Sequence, residues 1–210
     1  MKTFNLVFFL VILHSLVNAQ EKLLYGIQLG GILSTKHYVT TLTYPVLKSN
    51  DDFKLGYSIN LIAQVRLSWL FSAQIEPGIV NTGSKFKFSN YKYSLTYITM
   101  PLNINLFDTN RIWPFAGTYF SYLISSKIIN GTSSRNIYKA TSNADFGLNA
   151  GIAWKITDKI RLNAKYFYGI LNLNKIPFGV FADDMLFLPW SPTKAYNRGF
   201  SVNLIYFFVK

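Results

Sequence analysis

The final stretch of the chain, Asn197-Arg198-Gly199-Phe200-Ser201-Val202-Asn203-Leu204-Ile205-Tyr206-Phe207-Phe208, constrains the fold most. Phe200, Val202, Leu204, Tyr206 and Phe208 recur at every second position, with Gly199, Ser201 and Asn203 between them. Side chains of a strand alternate between its two faces, so this segment carries one greasy face and one small or polar face. Ile205 and Phe207 break the polar side, and we expect them to pack one end of an interior.

The pattern recurs along the chain. Ile27, Leu29 and Leu33 oppose Gln28, Gly30 and Ser34, and the odd positions of Tyr57 to Leu67 are apolar against Ser58, Asn60, Gln64 and Arg66. Phe71 to Ile79 places Ser72, Gln74 and Glu76 on one side. Ile98, Met100, Leu102, Ile104 and Leu106 oppose Thr99, Asn103 and Asn105; Pro101 lacks a ladder donor and marks a bulge or a place that tolerates the loss. Phe115 to Ile124 is apolar or small on both faces, with Gly117 and Ser121 assigned inward. Phe146 to Trp154 alternates with Asp145, Gly147, Asn149 and Gly151, and Leu162 to Tyr168 alternates with Arg161, Asn163 and Lys165. With the closing segment these make eight strands of about ten residues, the size of small membrane barrels.

Connections between them alternate in length. Ser68-Trp69, Phe107 to Arg111 and Thr157-Asp158-Lys159 are short; Thr35 to Leu55, Asn81 to Lys92, Ser125 to Asn143 and Leu171 to Tyr196 are long. A membrane barrel with short periplasmic turns and long outer loops has this rhythm. Trp69, Trp113 and Trp154 all fall beside short turns, where an interfacial girdle is expected.

The N-terminus supports export. Lys2, the apolar run from Phe4 to Leu13 and Val17-Asn18-Ala19 read as a secretory signal over residues 1–19, too short for a spanning helix. Residues 20–210 then form the predicted domain: all-β, an eight-stranded antiparallel up-and-down transmembrane β-barrel with short periplasmic turns and long extracellular loops. Half of the chain is hydrophobic, 17% aromatic and only 14% charged, and it has no cysteine, so neither a disulfide framework nor a thiolate metal site is available. The net charge is +12. Lys36, Lys48, Lys54, Lys85, Lys87, Lys92, Lys127, Arg135, Lys139, Lys175 and Lys194 belong to the long loops, where they would meet lipopolysaccharide phosphates; nothing in the pattern resembles a nucleic-acid motif. Asn130-Gly131-Thr132 fits a glycosylation acceptor and, more simply, a turn.

The inward charged set is Arg66, Glu76, Asp145, Arg161 and Lys165. Isolated buried charges are costly, so these are expected to form a polar network in a filled lumen; a narrow solute path is the alternative. A lipid-modifying site at the outer rim would need His37, the sole histidine of the mature chain, with Asp51 or Asp52 and a serine. No cofactor motif is present, and the chain is read as a non-enzyme.

Several pieces, in order, resemble the PorT-like family of outer-membrane β-barrel domains. They are Tyr97-Ile98-Thr99-Met100-Pro101-Leu102, Trp113-Pro114-Phe115-Ala116-Gly117, Asp145-Phe146-Gly147-Leu148 with Gly151, Tyr168-Gly169-Ile170-Leu171-Asn172, and Asn197 to Val202. Thr99 stands where that family often has an acidic residue. The resemblance implies an outer-membrane barrel of mostly undefined role, and the chain is read as a monomer with a structural, surface-interaction or secretion-supporting role. Tyr206 and Phe208 are similar to the terminal aromatic pattern read by the barrel-assembly machinery, although Asn203 replaces the usual glycine.

Overall fold

The computed structural model describes residues 23–40, 51–68, 70–86, 90–137, 141–174 and 193–208. The segment read as a signal, Trp69, and loop residues Lys48, Lys87, Lys139 and Lys175 lie outside the described residues.

Ten strand segments follow the chain: β1 (Leu23–Thr40), β2 (Asp52–Arg66), β3 (Phe71–Ile75), β4 (Gly78–Lys85), β5 (Tyr91–Leu106), β6 (Ile112–Asn130), β7 (Ser133–Asn136), β8 (Ala144–Lys155), β9 (Ile160–Gly169) and β10 (Thr193–Phe207). β3 and β4 both lie between β2 and β5, so they are two halves of one stave, while β7 only folds back on the end of β6. The remaining staves pair in sequence, all antiparallel, and β1 pairs with β10 from Gly26↔Phe207 to Thr40↔Thr193. The result is a closed eight-stave barrel, its first stave joined to its last.

The alternation read in the sequence decides which side faces out. Phe200, Val202, Leu204, Tyr206 and Phe208 are exposed, whereas Ser201, Asn203, Ile205 and Phe207 are buried. Leu55 is 70% exposed and Leu61 62%, and comparable leucines, isoleucines and phenylalanines ring the whole wall. So continuous an apolar girdle exceeds any patch a water-soluble monomer carries, and hydrocarbon is its natural solvent.

Three expectations need correction. Asn81 to Lys92 is not a long loop: β4 runs to Lys85 and β5 starts at Tyr91. Likewise β1 and β6 are 18 and 19 residues long, well beyond the roughly ten needed to cross a membrane. The staves therefore continue as sheet past the apolar belt, because the pairing is extended by backbone bonds that do not depend on greasy alternation. Trp113 is also misplaced by the girdle argument. It is 1% exposed and points into the lumen, while Trp154 faces outward at 41%. Tyr25, Phe71, Tyr206 and Phe208 stand with Trp154 on the outer face of the short-turn end.

Pro101 sits at a place that tolerates its missing donor. Its stave faces the interruption between β3 and β4, where Glu76 N donates to Pro101 O (3.0 Å) and Leu61 N donates to Pro77 O (2.8 Å). The ladder slips elsewhere, between Thr96 and Tyr97 opposite β6 and between Phe53 and Ser58 opposite β4. At the second slip the Lys54 amine fills the gap, donating to Asn81 Oδ1 and Thr82 O. Gly131, at φ 55°, turns the chain from β6 into β7, which supports the turn reading of Asn130-Gly131-Thr132.

Inside, large rings lie flat over glycines of the next stave. Gly147 pairs with Tyr119 and Gly151 with Phe115, and a Cβ on either glycine would come within 2.7 Å of the ring. This explains why the inner face of β6 carries aromatics: each ring fills the space its neighbour's missing side chain leaves.

Candidate functional site

The polar lumen gathers the inward charged groups, and it is built in layers. At the short-turn end Arg161, from β9, donates from Nη1 to Gln64 Oε1 at 2.6 Å. Its guanidinium lies 5.0 Å from the Trp113 ring centre and 4.3 Å from that of Phe207, so the cation is held between two aromatic faces. Gln64 Nε2 donates to Ser72 Oγ and Asp108 Oδ2, each at 2.8 Å, and Asp108 lies 3.6 Å from Arg66 Nε. Ile62, Ile205 and Phe207 pack together with Leu24 to form an apolar floor, and Trp113, Phe115 and Ala153 form a second cluster on the opposite wall.

Above this floor lies an ion pair. Glu76 projects inward from the break between β3 and β4, and its Oε2 is 2.8 Å from Lys165 Nζ. Glu76 Oε1 accepts bonds from Gln74 Nε2 and Asn103 Nδ2, both at 2.7 Å. Glu76 is fully buried, so this pairing and bonding is what makes the charge tolerable there.

Higher again, Asp145 Oδ2 accepts bonds from Asn197 Nδ2 (2.8 Å) and Tyr119 OH (3.3 Å). Among the described residues no cation lies within ion-pair distance of Asp145. Between this layer and Glu76–Lys165 is a cavity of about 60 Å³ bordered by Ser58, Asn60, Tyr119, Ser121, Asn149 and Lys165. That is room for a few waters, which the partnerless Oδ1 atoms of Asn60 and Asn149 are placed to use. Over the cavity Leu95, Tyr97, Leu123, Leu173 and Ala195 pack together, with Tyr38 and Val80 against them. Apolar clusters thus flank the polar interior at both ends.

The five inward charges therefore occupy three levels. Glu76 and Lys165 meet; Arg66 meets Asp108; Arg161 is served by Gln64 and two rings; Asp145 stands apart on neutral partners. Sequence reading overlooked Asp108, Tyr119 and Asn197. Asp108 belongs to a turn that Phe107 enters at φ 58°, which swings the carboxylate back under the lumen. The signal for Tyr119 was its matched register with Gly147.

The long-loop end carries a separate cluster, beyond the last belt residue of β1, Leu33. Lys36 Nζ lies 3.5 Å above the Tyr93 ring centre, and burial lowers its pKa to about 8. Asp51 Oδ2 accepts bonds from Ser84 Oγ (2.6 Å) and Tyr38 OH (3.0 Å), and burial pushes its carboxyl above the usual range. His37 Nδ1 is buried without a partner, and desolvation together with the Arg198 charge holds its pKa below the ordinary histidine value. Asp51 is thus committed to Tyr38 and Ser84 rather than to His37. Among the described residues no three His, Cys, Asp or Glu side chains gather in a way that would hold a metal ion.

Residues 18–175 match the family model of the outer membrane protein beta-barrel domain. No curated protein matches the sequence. Among solved structures, Neisserial surface protein A is 13% identical over 87% of this chain and 96% of its own, with a TM-score of 0.53. Ail of Yersinia pestis is 12% identical over 89% of this chain and 99% of its own (TM-score 0.45), and OprG of Pseudomonas aeruginosa 12% over 90% and 98% (TM-score 0.45). At these identities the likeness is one of fold.

Proposed function

Since the chain belongs to the outer membrane protein β-barrel domain family, we propose that it is an integral outer-membrane barrel whose lumen is a structural core and whose work is done on its extracellular face, as surface contact or support of a secretion system. The observation that carries this reading is the pair of apolar clusters at the two ends of the lumen, the Ile62–Ile205–Phe207 floor and the Leu95–Tyr97–Leu123–Leu173 cap. A sealed polar interior stabilises a barrel but gives a solute no path, which leaves the long outer connections as the functional surface. The protein is monomeric, is exported by a cleavable signal and is inserted by the barrel-assembly machinery. Catalysis at the rim is disfavoured because His37 Nδ1 lacks a partner and Asp51 is engaged elsewhere.

The test is genetic. A deletion strain is complemented with the native chain or with a chain whose 41–50 and 175–192 segments are replaced by short Gly-Ser linkers. Surface adhesion and the secreted protein profile are then compared. Both readouts return with the native chain, while the linker chain folds, reaches the outer membrane and restores neither. Full rescue by the linker chain would overturn the reading.

A further inference from the structure

The outer face of the barrel carries a lysine cluster just beyond the apolar belt. Ile79, Ile98 and Tyr122 are exposed and in register across β4, β5 and β6, and they mark the belt there. Further toward the extracellular end the same outward faces turn polar. Asn81 Nδ2 donates to Ser94 Oγ (3.1 Å) and Thr96 Oγ1 (3.0 Å). Beyond them Lys85 stands directly opposite Lys92, and Lys127 stands opposite Ser94, diagonal to Lys92. All three lysines are exposed.

Like charges directly opposite one another on neighbouring strands destabilise a sheet. Here the protein offers little relief. Among the described residues no carboxylate comes within 4.0 Å of any of the three, and the acid in register, Asp52 opposite Lys85, makes no ion pair with it. At roughly 3.4 Å of rise per residue and a tilt of about 40°, the cluster lies about 13–16 Å beyond the row of Ile79, Ile98 and Tyr122. That is the depth of lipid headgroups and the sugars they bear. The cluster continues the lipid-facing wall up to the end of the β4–β5 hairpin and stands outside the lumen, so a lipid packed beside the barrel can reach it.

We propose that Lys85, Lys92 and Lys127 form a docking site for the phosphorylated headgroup of an outer-leaflet lipid, the phosphates of lipopolysaccharide. The proposal rests on the outer-membrane reading above. Three ammonium groups on adjacent staves supply several points of contact for a headgroup bearing more than one phosphate, and each lysine stem bridges apolar wall and polar headgroup.

The experiment uses the full chain folded in detergent, titrated with fluorescent lipopolysaccharide. The comparisons are dephosphorylated lipopolysaccharide, inorganic phosphate as competitor, a K85Q/K92Q/K127Q variant, and an R111Q/K155Q/K159Q variant altered at the periplasmic turns. The expected weakening is about five-fold per lysine removed. Native protein binds the dephosphorylated lipid as weakly as the lysine variant binds the intact one, the turn variant binds like native, and millimolar inorganic phosphate does not compete. Equal binding of intact and dephosphorylated lipid by native protein would overturn the proposal without recourse to any variant. So would native-like binding by the lysine variant, or competition by inorganic phosphate, which would assign a soluble anion instead. Failure of the outer-membrane reading is told apart by recovery of a water-soluble chain without a heat-modifiable gel shift.

Discussion

Lys165 reaches across the barrel from β9 to Glu76, at the interruption of the opposite stave, and the two charged groups meet at 2.8 Å in the centre of the lumen. Glu76 is entirely buried, whereas Lys165 is 11% exposed and borders the cavity, so the carboxylate has no water as an alternative partner. Removing one partner strands the other. Glu76→Ala is expected to destabilise the barrel by about 3–5 kcal/mol, and the double variant Glu76→Ala/Lys165→Met to regain most of that. Urea unfolding in detergent, followed by the heat-modifiable gel shift, checks both; equal loss in the single and double variants would mean that the pair contributes nothing as a pair.

The ring-over-glycine pairs predict steric intolerance on a wall that otherwise looks permissive. A Cβ at Gly147 would stand 2.6 Å from atoms of the Tyr119 ring. Gly147→Ala is expected to cost about 1–3 kcal/mol, as overpacking does. The same substitution at Gly31, where a Cβ meets nothing, is expected to be near neutral. The same unfolding assay ranks the two.

Lys36 predicts a pH dependence outside the membrane. Burial under Tyr93 lowers its pKa from 10.5 to about 8, so between those values the unfolded chain holds a proton that the folded chain lacks. Stability contributed by this group therefore rises with pH above about 8, and the cost of burying the ammonium is fully felt below it. Lys36→Met should stabilise the protein at pH 7, and its advantage over native should shrink by about 1–2 kcal/mol by pH 9.5. Comparing the two proteins at each pH cancels the tyrosines that ionise in the unfolded chain near that range.

Much of the barrel is legible in the sequence because lipid enforces a strict period of two. The outward set of β10 and the polar inner face of β2 follow from alternation alone. What alternation misses is whatever lipid does not police. The extension of β4 to Lys85 and β5 back to Tyr91 lies beyond the belt, where polar residues pair as readily as apolar ones. Trp113 and Tyr119 point inward because Arg161 and Gly147 on other staves make room for them, a relationship visible only once the register is known. The inward charges could be named from parity, yet their division into separate levels depends on stagger between staves, which no single strand encodes.

Electrical recording tests most directly whether the apolar clusters seal the lumen at both ends. Protein purified in detergent, shown to be folded by its heat-modifiable shift, is reconstituted into planar lipid bilayers under an applied potential. The apolar floor around Ile205 and Phe207 and the cap around Leu95 and Leu173 predict a flat current trace. Discrete, reproducible conductance steps that change when Glu76 or Lys165 is substituted would contradict it and make the lumen a channel.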